Sequence, residues 1–392
     1  MRPDLTPLPD PPRLLLGPGP SLMHPRIAVA LASPLIGHLD PLFLKIMDET
    51  QAMLRDLFRT TNRLTIPMSA TGSGGMETCL VNLVEPGDRV VVGVCGAFGG
   101  RIAEGARRLG AEVTIVEAPW GKPVDPARFI AEIGARRPAI ATLVHAETST
   151  GVLQPLEGIP RAARDAGALL MVDCVTSLGG VPVDADGWPA DAIFSGSQKC
   201  LSCPPGLSPA TFGERALAKI RARRTPVTSW YFDLSMIEKY WGTDRVYHHT
   251  APISMVLALR EALALVFEEG LEARFARHAR HRDALVEGLQ KLGLSMLVEP
   301  EHRLPMLTSV CVPDGVDDAA VRRRLLTTHG IEIGGGLGPL AGKVWRIGLM
   351  GHSSRPENIV RALSALGECL DEAGHRCDVR AAVAAADEQL AD

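Results

Sequence analysis

The sequence predicts an α/β protein with a mostly parallel sheet sandwiched by helices, followed by a smaller C-terminal α+β domain. Two observations lead to this prediction. Between residues 89 and 212, short β-branched runs alternate with amphipathic segments, and the strand-like runs are apolar on both sides, as in a buried parallel sheet. After Thr250, two long helical patterns come first, and strands and helices then mix at a smaller scale.

The individual elements follow from periodicity and from Gly and Pro breaks. The predicted strands are Arg89–Val94, Glu112–Val116, Ala139–His145, Ala168–Val172, Ala192–Ser195, Pro209–Phe212, Ser295–Val298, Ser309–Val312 and Val344–Ile347. The predicted helices are Gly100–Leu109, Pro126–Arg136, Leu156–Ala166, Met255–Glu269, Leu271–Leu292, Asp318–Thr328, Pro356–Glu372 and one in the tail beyond His375. Because the pattern changes at Gly270, we predict an arm over residues 1–25, a large domain over 26–269 and a small domain over 270–392.

Composition and charge narrow the class of protein. The 392 residues are 46% hydrophobic and 22% charged, which is typical of a globular chain. A formal net charge of −4 gives no electrostatic reason to expect nucleic acid or an anionic membrane as a partner. The N-terminal apolar run has only three leucines, too few for a signal peptide, and no window resembles a membrane span. By elimination, we expect a cytoplasmic protein.

Cysteine and histidine spacing does not indicate a metal. Cys200 and Cys203 have CxxC spacing, but no second such pair and no nearby histidine completes a zinc set. We therefore predict buried thiols and no metal site. The basic stretch Arg274–Arg282 is expected to form a solvated helix face, and His278 and His281 on it are expected to be structural.

Three motifs carry chemistry, and the first ends in a lysine. The segment Ser195–Lys199 (SGSQK) directly follows a predicted strand. A lysine among small residues at the end of a strand is poorly solvated, and burial lowers the pKa of an amine, as a Schiff-base nucleophile requires. Taken alone, the pentapeptide fits a surface lysine in a loop equally well.

The second motif ends in an acid, because Asp173 follows the apolar run LLMV. Ligands of open α/β sheets bind at the carboxyl ends of the strands. A carboxylate buried there needs a cationic partner, and a protonated pyridine nitrogen is one. The alternative is that Asp173 caps the following turn.

The third motif is the small-residue segment Thr71–Glu77 (TGSGGME), which leads into the helical pattern Thr78–Leu83. Free N–H groups and the dipole at a helix N-terminus favour a phosphate. The segment is not a P-loop, because no Gly-Lys-Ser/Thr follows, and it lacks a dinucleotide fingerprint. A plain turn is the alternative. Together, the three motifs form a coherent set of phosphate cup, pyridinium acid and imine lysine.

With these motifs in this order, the chain resembles the class V, fold-type I aminotransferases that use pyridoxal 5′-phosphate (PLP), specifically the alanine–glyoxylate and serine–pyruvate group. The resemblance extends over nearly the whole chain. The segments that carry it are Leu14–Ser21 (LLLGPGPS), His145–Leu156 (HAETSTGVLQPL), Asp173–Gly180 (DCVTSLGG), Ser195–Lys199, Tyr247–Thr250 (YHHT) and Gly334–Gly351 (GGGLGPLAGKVWRIGLMG).

The resemblance implies roles for residues around the cofactor ring. Lys199 matches the Schiff-base lysine and proton shuttle, and Asp173 matches the partner of the pyridine nitrogen. Val175 packs on the ring, and Thr148 places a hydroxyl near the 3′-oxygen. Phe98 stands where close relatives often stack a tryptophan, so the π-face contact stays and an indole N–H is lost.

The resemblance also implies how the phosphate and the substrate are held. Thr71, Gly72 and Ser73 match the phosphate cup, and Gln198 matches a residue that also reaches the phosphate. Tyr247 and Thr250 match residues that reach the phosphate of the neighbouring subunit, which implies a homodimer with shared active sites. Arg346 matches the arginine that binds the substrate α-carboxylate.

The activity implied is ping-pong transfer of an amino group from a small amino acid, alanine or serine, to a 2-oxo acid, glyoxylate or pyruvate. No matched motif contains a second arginine that could bind a side-chain carboxylate. An aspartate–glyoxylate aminotransferase nevertheless remains an alternative. A pyridoxamine–pyruvate aminotransferase should have a carboxylate in the cup, and residues 69–76 contain none. A cysteine desulfurase would need a reactive cysteine on a mobile loop, whereas Cys311 lies in an apolar run. A non-catalytic or NAD-binding α/β protein would not need both Lys199 and Asp173.

Overall fold

The computed structural model describes residues 6–391; residues 1–5 of the predicted arm and Asp392 lie outside the described residues. The helices are α1 Pro25–Leu31, α2 Pro41–Phe58, α3 Gly72–Leu83, α4 Ala97–Arg108, α5 Pro126–Arg136, α6 Ile159–Asp165, α7 Glu214–Arg221, α8 Leu234–Trp241, α9 Ile253–Glu269, α10 Leu271–Lys291, α11 Asp318–Thr328, α12 Pro356–Glu372 and α13 Val379–Ala391. The strands are β1 Leu14–Leu15, β2 Leu64–Met68, β3 Arg89–Val94, β4 Glu112–Glu117, β5 Ile140–Val144, β6 Ala146–Glu147, β7 Val152–Leu153, β8 Leu169–Asp173, β9 Ala192–Phe194, β10 Ser208–Phe212, β11 Leu307–Cys311, β12 Ile331–Glu332, β13 Gly334–Gly335 and β14 Val344–Gly348.

A seven-stranded sheet forms the centre of the molecule, in the order β2-β10-β9-β8-β5-β3-β4. Its pairs are parallel except that β10 runs antiparallel to both of its neighbours. Strands β2, β5, β8, β9 and β10 are buried along their whole length, as expected when both faces are covered. The predicted mostly parallel sheet is therefore confirmed.

Several predicted elements coincide with the structure, because their ends carry strong local signals. Asp125 caps α5 and Asp317 caps α11, each accepting a bond from a backbone N–H of the first turn. Proline begins α5 and α12. Helix α6 begins three residues later than predicted because Gly158 takes the left-handed conformation, with φ of 76°.

One predicted strand, Ser295–Val298, is wrong. Within it, Met296 makes one isolated bridge, to Val310 of β11. The segment lies between the turn that ends α10 and a 3₁₀ turn at Pro300–His302. Too few extended residues are left between these turns to form a regular ladder.

The hydrophobic residues form two large clusters. The first lies around the central sheet and runs from Ile27 to Val298 along the chain. The second surrounds the antiparallel sheet β11-β14-β13 and includes Leu14 and Leu16 of the N-terminal segment, because β1 pairs in parallel with β12. Two cores are compatible with two domains, and the boundary at residues 269 and 270 stays a prediction.

The expectation of a solvated basic face on α10 is wrong for the residues that face inwards. Arg274 is 6% exposed, and His278 and His281 are buried as well. Arg274 donates hydrogen bonds to the carbonyl oxygens of Gly179 and Cys200 and forms an ion pair with a glutamate of α9. A guanidinium with these partners tolerates burial, and the two carbonyl groups come from segments distant in sequence. Cys200 and Cys203 are both buried, as predicted.

Among residues 6–391, no helix combines the length and the apolar character that a membrane span requires.

Candidate active site

The carboxyl ends of several strands bring the sequence motifs together. In the parallel pairs, Val144 of β5 lies opposite Asp173 of β8, and Asp173 lies opposite Phe194 of β9. The segments that follow these three residues therefore leave the sheet at one edge. A cavity of about 210 Å³ lies there. The site residues predicted from the sequence that line this cavity are Thr71, Gly72, Ser73, Phe98, Thr148, Asp173, Val175, Gln198 and Lys199.

The phosphate cup predicted at Thr71–Ser73 is the N-terminus of α3. Thr71 occupies the cap position, and its side chain makes no capping hydrogen bond, so backbone N–H groups of the first turn are available to an anion. Gly72 is packed closely, because a Cβ added there would lie 3.1 Å from Cγ2 of Val175. Beside the cup, the buried Oε1 atom of Gln198 has no hydrogen-bond partner among the described residues.

Asp173 is a buried carboxylate that the protein itself leaves largely unpaired. Its side chain is 5% exposed, and Oδ1 accepts a hydrogen bond of 2.8 Å from the backbone N–H of Val175. Burial raises the pKa of Asp173 to about 7, because a charged carboxylate is poorly solvated there. This bond to Val175 is the turn cap that the sequence left open as an alternative role for Asp173. Asp173 also lines the cavity.

Lys199 is buried at the same cavity, so a surface lysine in a loop is excluded. Burial lowers the pKa of its amine to about 8. The Nζ atom donates to the carbonyl oxygen of Pro18 in the N-terminal segment. The next residue, Gly19, has φ of 103°, and a Cβ added there would lie 2.7 Å from Cδ of Lys199. The motif LLLGPGPS therefore contacts the lysine, which the sequence did not reveal.

Arg346 approaches the cavity from the smaller sheet. It lies on β14, is buried, and is not one of the residues that form the cavity wall. Its Nη1 atom donates to the carbonyl oxygen of Thr148 at 3.0 Å, and Nε donates to that of Gly335 at 2.8 Å. Because Thr148 lines the cavity, Arg346 is adjacent to the site.

Two residues of this region were missed by sequence reasoning. Glu147 is fully buried, and its carboxylate accepts bonds from the backbone N–H groups of Phe98 and Gly99 and from the Ser149 hydroxyl. It thereby fixes the start of α4 and the position of Phe98; burial raises its pKa. Arg101 lines the cavity, and its Cζ atom lies 4.8 Å from the centre of the Phe98 ring. An acid inside HAETSTG was the available signal for Glu147, whereas Arg101 had none.

Tyr247 and Thr250 do not line the cavity of their own chain. Both are exposed, Tyr247 to 56%. Thr71 and Ser73 of the cup are exposed too, so the phosphate end of the cavity is open to the surface of the single chain.

Comparisons with known proteins agree with this geometry. The family model "Aminotransferase class-V" matches residues 31–351. The (S)-ureidoglycine–glyoxylate transaminase of Bacillus subtilis (strain 168) is 43% identical over 372 residues, which are 90% of this chain and 89% of that protein. The alanine–glyoxylate aminotransferase of Rattus norvegicus is 42% identical over 368 residues, covering 93% of this chain and 89% of that protein. A crystal structure of alanine–glyoxylate aminotransferase from Nostoc sp. has a TM-score of 0.92 at 52% identity, covering 94% and 97% of the two chains.

The chain belongs to the class-V aminotransferase family and has the fold of the fold-type I PLP enzymes. It is a PLP-dependent transaminase, and the residues at the cavity fit that cofactor. The uncapped start of α3 suits a phosphate, and the buried carboxylate of Asp173 suits a protonated ring nitrogen. The buried amine of Lys199 suits covalent attachment.

Proposed function

We propose that this enzyme transfers the amino group of alanine or serine to glyoxylate. The observation that carries this proposal is the similarity to two aminotransferases named for glyoxylate, at 42–43% identity over about nine-tenths of the chain. Bound PLP supplies the electron sink that makes the α-proton of the amino acid acidic. The remaining tasks fall to the side chains of the protein.

Lys199 is proposed to hold the cofactor and then to move the substrate proton. A general base works best when its pKa is near the operating pH, and burial brings the pKa of this amine down to about 8. Asp173 would hold the ring nitrogen in its protonated form. The cup at Thr71, Gly72 and Ser73, with Gln198 beside it, would bind the phosphate.

The other predicted residues are proposed to orient the ring and the substrate. Val175 and Phe98 line the cavity as apolar surfaces for the two faces of the ring, and Thr148 lies at the same wall. Arg346 would bind the α-carboxylate through its planar guanidinium, because two parallel N–H groups match two carboxylate oxygens. This role would require it to exchange its bond to the Thr148 carbonyl for bonds to the substrate.

We also propose a homodimer with shared active sites in the cytoplasm. The dimer would place Tyr247 and Thr250 of each subunit at the exposed cup of the other. Apolar side chains are exposed around Tyr247, among them Val246, and the ring of Tyr247 lies 5.3 Å from that of His38. Exposed apolar surface of this kind is typical of interfaces. The cytoplasmic location rests on the sequence alone.

A second candidate donor is aspartate, and Arg101 is the observation that favours it. A second guanidinium at the cavity could bind a side-chain carboxylate, which alanine and serine lack. Transfer between pyridoxamine and pyruvate is less favoured, because it should need a carboxylate in the cup. The nearby carboxylate of Glu77 is exposed and does not line the cavity. Cysteine desulfuration is also less favoured, because Cys311 lies in strand β11, where it pairs with Val344, and not on a loop.

The test is a single-turnover assay of the purified PLP form with alanine, serine, aspartate and ureidoglycine, read as loss of cofactor absorbance. We expect the fastest reaction with alanine or serine, and regeneration by glyoxylate. A matched Arg101→Gln variant should react unchanged with both. If aspartate is fastest and Arg101→Gln loses aspartate alone, the second candidate replaces the first.

A further inference from the structure

A second cavity, here called the hinge cavity, lies where the end of α9 and the start of α10 meet the turn at residues 351–356. Its volume is about 460 Å³. Its basic lining residues are His24, Arg274, Arg277, Arg280, His281, His352 and Arg355. Among the described residues that line it, the single carboxylate is Glu269. It shares no lining residue with the cofactor cavity.

The positive charge of the hinge cavity exceeds what its carboxylate can balance. Glu269 forms ion pairs of 2.5 Å with both Arg274 and Arg277. Arg280 is exposed at the cavity and is not one of the partners of Glu269. Arg355 pairs with Glu357 outside the cavity, and both side chains are about half-exposed, so water screens that pair. A net positive potential therefore remains in a partly enclosed space.

The inner arginines are held in place before any ligand binds. Arg274 donates to the carbonyl oxygens of Gly179 and Cys200, as described above. Nη1 of Arg277 donates to the carbonyl oxygens of Ser354 at 2.7 Å and Gly351 at 3.2 Å. Because their donors are already engaged, these guanidinium groups keep their charge beside the cavity and need no further ordering when an anion binds.

We propose that the hinge cavity binds a small dianion with phosphate or dicarboxylate chemistry. Planar guanidinium groups bind both kinds of oxyanion through paired N–H donors. Arg280 and Arg355 at the exposed rim would contact the ligand from α10 and from the turn, while the inner arginines supply the potential. His281 and His352 would act as neutral partners, because burial, followed by the neighbouring arginines, lowers the pKa of each to about 4.

The hinge cavity is connected to the backbone of Lys199. The backbone N–H of His352 donates to Oγ of Ser202 at 2.7 Å, and that hydroxyl lies 3.0 Å from Oγ of Ser21. Ser21 in turn donates to the carbonyl oxygen of Lys199 at 2.7 Å. A dianion in the hinge cavity would thus bind beside the segment that positions the lysine.

The test uses the PLP-saturated enzyme and the thermal unfolding midpoint, Tm. Inorganic phosphate or succinate is added while sodium chloride holds the ionic strength constant. Because a ligand of the native state stabilises it, we expect a saturable rise in Tm with at least one of the two. The apparent Kd should increase at least tenfold in Arg280→Glu and in Arg355→Glu. Arg376→Glu, which makes the same charge change on an exposed loop, should behave as wild type.

Saturation by phosphate alone supports a phosphate ligand, and saturation by succinate alone supports a dicarboxylate. The proposal is overturned if neither dianion gives a saturable rise. It is also overturned if acetate gives the same rise at equal ionic strength, or if both rim variants keep the wild-type Kd.

Discussion

The guanidinium of Arg346 donates a 3.0 Å hydrogen bond to the carbonyl oxygen of Thr148, which lies 198 residues earlier in the chain. Arg346 lies on β14 of the smaller sheet, and Thr148 lies in the turn after β6, which follows the carboxyl end of β5 of the central sheet. The bond joins the two halves of the molecule at the cavity. The smaller sheet therefore supplies a cation to a site built by the larger one.

Replacing Arg346 tests its proposed contact with the substrate. Losing one partner of a buried charge pair costs about 3–5 kcal/mol, so Arg346→Ala should lower kcat/KM by roughly two to three orders of magnitude, at about 1.4 kcal/mol per tenfold. The loss should be similar for alanine, serine and glyoxylate, which share the α-carboxylate. Arg346→Lys should recover only part of it, because lysine lacks the planar fork. Steady-state kinetics with each substrate provides the measurement.

Arg322 offers a matched control, because it approaches the same glycine strand and pairs with Asp318 on its own helix. Arg322→Ala should leave kcat/KM within a few-fold of wild type, and both variants should retain PLP. A selective loss of one substrate in Arg346→Ala would mean that Arg346 contacts a side chain, in favour of aspartate as donor.

Mixed dimers test the proposed sharing of sites. Lys199→Ala and Tyr247→Ala protomers should each be inactive or weak as pure dimers. A mixed dimer has one site that carries both changes and one that carries neither, so mixing should restore activity. Activity is compared before and after exchange, which is followed with differently tagged subunits. Full exchange without recovery would contradict a shared site.

Burial of Asp173 should make the free energy of unfolding of the cofactor-free protein depend on pH. Its pKa is raised from an ordinary value near 3.8 to about 7, so between these values the folded state binds more protons than the unfolded state. Stability contributed by this group is therefore present below pH 4 and is lost as pH rises to 7. Asp173→Asn removes this titration. As pH rises over this range, the free energy of unfolding of the variant should therefore increase relative to that of wild type by a few kcal/mol, at about 1.4 kcal/mol per pKa unit. Urea unfolding at pH 5 and pH 7 measures the difference, and a gap independent of pH would argue against the shift.

Gly19 is predicted to be essential for the position of the N-terminal segment over Lys199. Its φ is 103°, and a Cβ added there would lie only 2.7 Å from Cδ of Lys199, so Gly19→Ala should strain the backbone by about 1–3 kcal/mol. We expect kcat/KM to fall by about tenfold to a hundredfold. Gly100→Ala is the control, because a Cβ there meets nothing within 4 Å in helix α4 and should stabilise the helix by about 0.5–1 kcal/mol. Equal activity of the two variants would contradict this role of Gly19.

The sequence predicted those features that depend on neighbours along the chain. Asp173 and Lys199 each follow an apolar strand, and parallel strands end at one edge, so their convergence was predictable. The capped helices α5 and α11 were predictable for the same reason, because their signals are local.

Features that depend on distant partners could not be predicted. Arg274 looks like a solvated residue until the carbonyl groups of Gly179 and Cys200 are placed around it. The antiparallel direction of β10 depends on how the chain returns beside β2 and β9. Arg101 becomes a site residue only because α4 packs beside the cavity.

The central claim is that Lys199 holds the cofactor, and chemical trapping tests it most directly. The PLP-saturated enzyme is reduced with borohydride, digested and mapped by mass spectrometry, beside Lys199→Ala treated in the same way. We predict that the pyridoxyl label lies on the peptide containing Lys199, with one label per chain, and that the variant has none. A label on another lysine of the wild-type protein, or no label on a PLP-saturated sample, would contradict the assignment.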